Sequence, residues 1–214
     1  MVIKRKGNLT REKILNCAKQ DFYDRGYNDT QLKHIADEAG LSLGNLNYYF
    51  KKKDDLVKAV YNQFFSEIYA FIAAQGITDP VTQFALFQFV VYQKVLNDEN
   101  NKRFYSEIIQ NKSNYRVMHE LIRKKYHDML LSLDRQVSDL DFEIIVMTEF
   151  GARREIFLNY FDGRFPLSLD QLCYHLIRNT YKHLEIPFDS FDTVITAARR
   201  FVAEQDLSPL CFLR

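Results

Sequence analysis

The spacing of apolar residues between positions 30 and 53 predicts two short helices joined by a tight turn. Thr30 is a candidate N-cap for the first helix, and Gly40 stands where a left-handed residue would end it. Ser42 can cap the second helix. The apolar positions are Leu32, Ile35, Ala36 and Ala39 in the first helix and Leu43, Leu46, Tyr49 and Phe50 in the second. This pattern is typical of a DNA-binding helix-turn-helix, although any compact helical hairpin needs a similar glycine turn and apolar corner.

Helical periodicity continues on both sides of this motif, and no segment alternates convincingly with a period of two. The further predicted helices cover residues 10–25, 54–75, 80–97, 102–110, 114–133, 141–161, 168–184 and 191–203. The helix over 54–75 would span roughly 30 Å, enough to connect a head to a body. We therefore predict an all-α fold. It would have a three-helix helix-turn-helix domain over residues 1–53 and a helical regulatory and dimerisation domain over residues 54–214.

Two late helices are predicted to be covered by a second subunit. The segment 141–161 is apolar nearly all round, and a helix with two apolar faces is buried on both. The segment 168–184 has a regular apolar stripe and begins with a capping box formed by Ser168 and Gln171. The simplest cover for both is a partner copy, so we predict a homodimer with a four-helix interface made by these two helices.

Charge is distributed unevenly along the chain, although the net charge is only +1. Residues 1–53 hold 11 Lys and Arg against 6 Asp and Glu, whereas residues 54–214 hold 18 against 22. A basic head on an acidic body is typical of a protein that contacts a phosphate backbone at one end. Residues 1–9 form a basic arm with Lys4, Arg5 and Lys6, which we expect to be disordered when free and able to contact DNA.

A set of residues across the first quarter of the chain carries a family resemblance: Thr10, Arg11, Ile14–Leu15, Ala18, Phe22, Gly26–Tyr27, Thr30, Ile35–Ala36, Ala39–Gly40, Ser42, Gly44, Leu46, Tyr49–Phe50, Lys53 and Leu56. With these residues the segment resembles the DNA-binding domain of the tetracycline-repressor (TetR) family. Asn47 departs from the family pattern, which usually has a tyrosine there, although an amide can also donate to a phosphate. The resemblance implies a homodimer in which a ligand moves the long helix and changes the spacing of the two heads.

Roles in DNA binding follow from the position of each residue in the predicted recognition helix, Ser42 to Tyr49. Asn45 is the candidate for base contacts, because an amide can pair bidentately with adenine in the major groove. Gly44 allows close approach of the backbone, and Leu43 can contact a thymine methyl. A two-fold dimer would place two such helices about one DNA turn apart, roughly 34–36 Å, on a palindromic operator. The candidate phosphate contacts are Thr30, Ser42, Asn47, Tyr48, Tyr49 and Lys53.

The aromatic-rich body is a candidate site for an apolar or aromatic small molecule. Gly151, inside a helix that is otherwise apolar, indicates room for a ligand or a close contact with another helix. The alternative is that the aromatic residues form an ordinary core. The candidate pocket residues are Phe87, Tyr105, Tyr126, Met129, Phe150 and Arg154.

The sequence contains no motif of a common hydrolase or nucleotide-binding enzyme. Its histidines lack metal-ligand spacing, and its three cysteines, Cys17, Cys173 and Cys211, fit neither a disulfide framework nor a zinc site. We therefore expect a cytoplasmic, non-enzymatic protein without a metal or cofactor and without membrane association.

We predict a transcriptional repressor that a small apolar or aromatic ligand releases from double-stranded DNA. One alternative is a DNA binder of the same fold that is controlled by a protein partner or by nothing. A body without a cavity larger than a few waters would favour that alternative. The other alternative is a body with enzymatic or purely structural work and a vestigial head, which would show no salt-dependent binding to duplex DNA.

Overall fold

The structure is a computed structural model and describes residues 2–111 and 113–214, without the side chains of residues 2–6 and 113–116. Ten α-helices and one short 3-10 turn at Phe188–Ser190 make up the secondary structure of these residues, so the predicted all-α fold is confirmed. The helices are α1 (Val2–Asp29), α2 (Leu32–Glu38), α3 (Leu43–Tyr49), α4 (Lys53–Ala74), α5 (Pro80–Leu96), α6 (Glu99–Gln110), α7 (Ser113–Ser132), α8 (Asp139–Phe161), α9 (Leu169–His183) and α10 (Phe191–Glu204).

Helices α1, α2 and α3 form a head whose turn has the predicted geometry. Gly40 has a φ of +65°, which a residue with a side chain rarely adopts, and it ends α2. The backbone N–H of Leu41 then donates to the carbonyl of Ala36 at 2.8 Å. Ser42 caps α3, since its Oγ accepts from the N–H of Asn45 at 3.2 Å. The fully buried side chains of this head include Ile14, Ala18, Phe22, Ile35, Ala36 and Leu46.

Two predictions about the head are wrong. Thr30 does not cap α2: the N-cap residue is Gln31, without a side-chain cap, and the Thr30 hydroxyl donates to the carbonyl of Gly26 at 2.7 Å. Thr30 lies between the end of one helix and the start of the next, so spacing alone could not choose between them. Residues 7–9, expected in a disordered arm, belong to α1. The side chains of Lys4, Arg5 and Lys6 lie outside the described residues.

The head rests on α6 of the body. Phe22 packs against Phe104 with ring centroids 4.8 Å apart, and the N–H of Asn28 donates to the Glu107 carboxylate at 2.8 Å. Gly26, where α1 kinks, has a φ of +79°. A Cβ at this position would lie 2.6 Å from Oε2 of Glu107, the end of a side chain that can shift, so it is the backbone conformation that requires glycine.

The segment after α10 returns to the junction between head and body. Phe212 is fully buried, with ring centroids 5.0 Å from Phe64 of α4 and 5.8 Å from Phe104 of α6. The guanidinium of Arg214 lies over the ring of Tyr23 of α1, 4.9 Å from its centroid. Three helices and this segment therefore meet in one aromatic cluster.

The two helices predicted to form the dimer interface differ in what they expose. Leu140, Ile144 and Met147 of α8 are 71%, 52% and 58% exposed, so this helix has an uncovered apolar face. The apolar stripe of α9 is buried within the chain, where α9 packs against α5, α8 and α10, and it needs no partner. The premise that a second subunit must cover α9 is wrong, because the neighbouring helices of the same chain cover the stripe. The buried residues of that stripe are Leu172, Cys173, Leu176, Ile177, Tyr181 and Leu184.

Within the described residues, every helix falls short of the length or apolar character that crossing a bilayer requires.

Replacing Phe212 with alanine should lower the free energy of unfolding by about 3–5 kcal/mol, because it leaves a cavity among fully buried rings. Phe165→Ala is the control, since that ring is 42% exposed; it should cost less than about 1 kcal/mol. Denaturant titration followed by circular dichroism measures both. Equal losses in the two variants would show that the segment after α10 does not hold the junction together.

Candidate functional site

Helix α3 turns one side into the head and the other to solvent. Leu46 is fully buried, whereas Asn45 and Asn47 on either side of it are exposed and Tyr48 is 82% exposed. Tyr49 is half-buried and packs edge-on against Tyr48, with centroids 5.1 Å apart. The exposed face comprises Ser42, Leu43, Gly44, Asn45, Asn47 and Tyr48, six of the nine predicted DNA-contacting residues. An exposed helix face of polar groups with a glycine suits insertion into a DNA groove.

Positive charge borders this face. The guanidinium of Arg11 lies over the ring of Phe50, 5.0 Å from its centroid, directly after α3. Lys51 and Lys52 follow and are exposed, while their backbone N–H groups donate to the Asp55 carboxylate at 3.1 and 3.2 Å. The exposed side chains of Lys51 and Lys52, together with Arg11, are placed to attract a phosphate backbone.

Two predicted phosphate contacts are engaged inside the head instead. Thr30 is buried, with its hydroxyl on the Gly26 carbonyl. The ammonium of Lys53 donates to the carbonyls of Tyr27, Asn28 and Thr30, with the last at 2.9 Å, and lies over the Tyr27 ring. Partial burial lowers the pKa of Lys53 from its ordinary value. Lys53 therefore ties the end of α1 to the start of α4, a role that its position beside a helix N-terminus did not reveal.

The body encloses a second candidate site between α4, α5, α6, α7 and α8. It is a cavity of about 20 Å³, room for about one water molecule. Four of the six predicted pocket residues line it: Phe87, Tyr105, Tyr126 and Phe150. Met129 is buried outside the lining. Arg154 is also outside it, because its Nε donates to the carbonyl of Ile109 at 3.1 Å.

The arginine of the cavity is the neighbouring residue, Arg153. It forms a buried ion pair with Glu149, one turn earlier on α8, in which its Nε donates to the carboxylate at 3.1 Å. Its Nη1 donates to Oε1 of Gln88 and to the hydroxyl of Tyr92, both at 2.7 Å. Its Nη2 donates to Glu149 and to the Thr180 hydroxyl. All five N–H donors of the guanidinium are therefore engaged.

Burial by itself would raise the pKa of Glu149, but the Arg153 guanidinium and the hydrogen bonds to the carboxylate hold this pKa below its ordinary value. Burial raises the pKa of Tyr61, Tyr105 and Tyr126 well above the ordinary value of tyrosine. The cavity thus contains one internally neutralised ion pair and several hydroxyls that stay protonated.

Sequence reasoning missed Glu149, Arg153 and Gln88. A usable signal was present, since a Glu and an Arg four residues apart inside a helix that is apolar on all sides are within reach of each other and must be buried together. Because one residue of helix is 100° of rotation, the choice between Arg153 and Arg154 needed knowledge of which face meets the cavity.

A surface groove lies outside the cavity, between α4 and α7. It has a volume of about 390 Å³ and shares two lining residues with the cavity, Phe65 and Ile122. Its rim carries Lys124 and Lys125, and the ammonium of Lys125 lies 3.8 Å from the centroid of the Tyr69 ring. Phe65 and Ile122 therefore form the partition between the enclosed cavity and the open groove.

Comparison with known proteins agrees with the geometry of the head. Residues 14–60, which include α2, α3 and the start of α4, match the profile of bacterial regulatory proteins of the tetR family. The chain is 25% identical over 178 residues to the HTH-type transcriptional repressor KstR2 of Mycolicibacterium smegmatis, covering 79% of this chain and 75% of that protein. It is 29% identical over 96 residues to the probable HTH-type transcriptional regulator YttP of Bacillus subtilis, covering 44% and 45%.

The resemblance of the first quarter of the chain to the TetR family of bacterial transcriptional regulators is confirmed. Solved structures share the fold of this chain along nearly its whole length. RolR in complex with resorcinol has a TM-score of 0.58 at 16% identity, over 95% of this chain and 99% of that one. A tetR-family regulator from Streptomyces coelicolor has a TM-score of 0.52 at 16% identity, over 94% and 91%. The segment of the chain that matches the tetR-family profile contains the whole exposed face of α3.

Lys53→Met should lower the free energy of unfolding by about 1–2 kcal/mol, because three carbonyls at the end of α1 lose a charged donor. Lys51→Met is the matched control, since that side chain is exposed, and should change stability by less than about 0.5 kcal/mol. Thermal denaturation of both variants is the measurement. If Lys53→Met left stability unchanged, the ammonium would be free for phosphate, as the sequence suggested.

Arg153→Met should lower the free energy of unfolding by about 3–5 kcal/mol, because it leaves the Glu149 carboxylate buried without its partner. The double variant Glu149→Leu/Arg153→Met should recover most of this loss, since both charges are removed. Because folding lowers the pKa of Glu149, the stabilisation it brings is complete above about pH 4.3 and is lost as pH falls through the folded-state pKa. Urea titrations at several pH values would refute this if the double variant were as acid-sensitive as the parent.

Proposed function

We propose that this TetR-family regulator binds a palindromic operator as a homodimer, represses transcription there, and is released by a small molecule bound in the body. The observation that carries the DNA-binding part is the exposed face of α3, with a buried Leu46 behind it and the cations of Arg11, Lys51 and Lys52 beside it. We assign residues 1–53 to DNA binding and residues 54–214 to regulation and dimerisation. Repression is supported by the similarity to KstR2, which is named a repressor.

The structure changes which residues we assign to DNA. Asn45 remains the candidate for base contacts, and Leu43 and Gly44 remain candidates for close approach to the bases. Ser42, Asn47, Tyr48 and Tyr49 remain candidate phosphate contacts. Because Thr30 and Lys53 are engaged within the head, we replace them as phosphate contacts by Lys51 and Lys52, which are exposed.

The homodimer is supported by the exposed apolar face of α8. Ile144, Met147 and Gly151 lie on it, about one turn apart. Gly151 is exposed, and a Cβ there would meet nothing within 4 Å among the described residues. Gly151 therefore does not create space for a ligand in the cavity of its own chain. The other expectation for this glycine, a close contact with another helix, would be met by a helix of the partner.

Control by a ligand is supported by the position of the cavity. Tyr61 of α4 and Tyr105 of α6 line it, while Phe104, the residue before Tyr105, packs on Phe22 of the head. A ligand that displaces α4 or α6 would change the orientation of α3. It would release DNA only if it binds the displaced arrangement more tightly than the DNA-binding one. RolR, which has the same fold, has been solved in complex with resorcinol.

A second candidate is the same DNA binder controlled by a protein partner or by nothing. The small volume of the cavity, about 20 Å³, favours it. Control by a small molecule requires Phe65 and Ile122 to move so that the cavity joins the groove of about 390 Å³. We favour control by a small molecule because buried polar groups around the cavity lack partners within the described part of the protein.

Duplex DNA selected from a random pool by the purified protein provides the test, with fluorescence anisotropy at several salt concentrations. Asn45→Ala should reduce the preference for the selected duplex over a random one by about 1–3 kcal/mol. Lys51→Met should weaken binding to both duplexes alike and lower the salt slope by about one. Two chains per duplex are expected.

Lys124→Met is the matched control, because this exposed lysine lies on the body, and it should leave the slope unchanged. If Asn45→Ala and Lys51→Met acted alike on selected and random DNA, the division of roles would be wrong. If the protein showed no salt-dependent duplex binding, the proposed function would be wrong as a whole.

A further inference from the structure

The charges inside the cavity are fully paired with each other. The guanidinium of Arg153 has five N–H donors, and Glu149, Gln88, Tyr92 and Thr180 accept all of them. Among the described residues that line the cavity, no cationic donor is left for an anionic ligand. Leaving an ionised carboxylate in such surroundings is strongly unfavourable, because it loses its hydration and gains no counter-charge.

The negative member of the pair is equally occupied. Both oxygens of Glu149 accept from Arg153, and the hydroxyl of Thr180 donates to Oε1 at 2.8 Å. The other residues that line the cavity, in the part of the chain that the structure describes, are uncharged. A cationic ligand would therefore also find no free partner, and the cavity is electrically neutral towards its contents.

Uncharged polar groups, in contrast, are left over. The hydroxyl of Tyr61 and Nε2 of Gln88 have no hydrogen-bond partner among the described residues, and both side chains are at least 98% buried. Tyr105 and Tyr126 also line the cavity, where their hydroxyls interact with Tyr92 and with the Glu149 carboxylate, respectively. Since burial raises the pKa of these tyrosines, each hydroxyl stays protonated and can donate. A buried donor without a hydrogen-bond partner costs free energy, and a ligand that accepts from it removes this cost.

We propose that the cavity binds an uncharged, planar aromatic molecule with at least one hydroxyl or carbonyl group, and that it excludes carboxylates. This rests on the proposed function, in which the cavity is the effector site. The rings of Phe65, Phe84, Phe87 and Phe150 supply the apolar walls. Tyr61 and Gln88 supply the polar partners. Entry occurs through the groove when Phe65 and Ile122, which line both spaces, turn aside.

The groove has the opposite preference. Lys124 and Lys125 line it, while its one acidic lining residue, Glu120, is paired with Lys58 across α4 and α7. An anion is therefore attracted to the groove and stopped at the partition. The difference in charge preference between groove and cavity therefore distinguishes a molecule that binds in the cavity from one that binds at the surface.

Three naphthalene derivatives of matched shape test the proposal on the full chain at neutral pH by calorimetric titration. They are naphthalene, 2-naphthol, which is neutral and carries a hydroxyl, and 2-naphthoate, which is charged. We expect 2-naphthol to bind about tenfold more tightly than 2-naphthoate, and about fivefold more tightly than naphthalene because of one added hydrogen bond. Binding of 2-naphthoate that competes with 2-naphthol at equal or higher affinity, or no binding of any probe at millimolar concentration, would overturn the proposal.

A matched pair of variants tests the location. Tyr61→Phe removes an unpaired hydroxyl that lines the cavity, whereas Tyr69→Phe removes an unpaired hydroxyl that lines the groove, about two turns further along α4. Tyr61→Phe should lower the affinity for 2-naphthol about fivefold and leave naphthalene unchanged. Tyr69→Phe should change neither of these two affinities. If only Tyr69→Phe lowered the affinity for 2-naphthol, the ligand would bind in the groove, and this would contradict the proposal.

A charge change provides a second test. Glu149→Gln frees the positive charge of Arg153, so 2-naphthoate should gain at least about tenfold in affinity relative to the unaltered protein. Unchanged exclusion of 2-naphthoate in a folded variant would contradict the proposal. If the variant does not fold, the comparison of Tyr61→Phe with Tyr69→Phe decides.

Measuring duplex binding in the same preparations separates this proposal from the proposed function. If the protein bound duplex DNA in a salt-dependent way but bound no probe, the DNA-binding function would stand and the proposed ligand class would be wrong. If 2-naphthol bound but did not weaken duplex binding, the proposed ligand class would stand and the proposal that a ligand releases DNA would be wrong.

Discussion

The packing of aromatic rings where α1, α4 and α6 meet is the constraint on which the orientation of the DNA-binding face depends. Phe22 of the head, Phe64 of α4, Phe104 of α6 and Phe212 of the final segment pack at centroid distances of 4.8 to 5.8 Å. Close-packed rings do not slide past each other without opening a void, which costs free energy. The head is therefore held by the body and does not hang from a flexible linker.

The same cluster brings the two candidate sites within one layer of side chains of each other. Tyr61 lines the cavity and packs on Phe212, with centroids 5.2 Å apart. On α6, Tyr105 faces the cavity while the adjacent Phe104 faces the head. A displacement of α4 or α6 at the cavity must be accommodated at the aromatic cluster, because interiors of this density transmit strain.

The buried ion pair of Glu149 and Arg153 adds little to stability by itself, since apolar residues of similar volume often do as well at such a position. Its arrangement has a different consequence. By engaging each other and Gln88, Tyr92 and Thr180, the two charges leave only neutral donors around the cavity. In a medium of low dielectric constant, a site that contains charges can thus still select against charge.

The sequence by itself determined the helices, the helix-turn-helix and the exposed face of α3, because these depend on local periodicity, on a glycine at φ +65° and on a serine cap. It could not assign Lys53, whose partners Tyr27 and Thr30 lie more than twenty residues away. It also could not choose Arg153 over Arg154, or show that α9 is covered by its own chain. Those facts depend on which helix faces meet, and only the tertiary packing decides that, because contacts between distant segments leave no periodic signal in the chain.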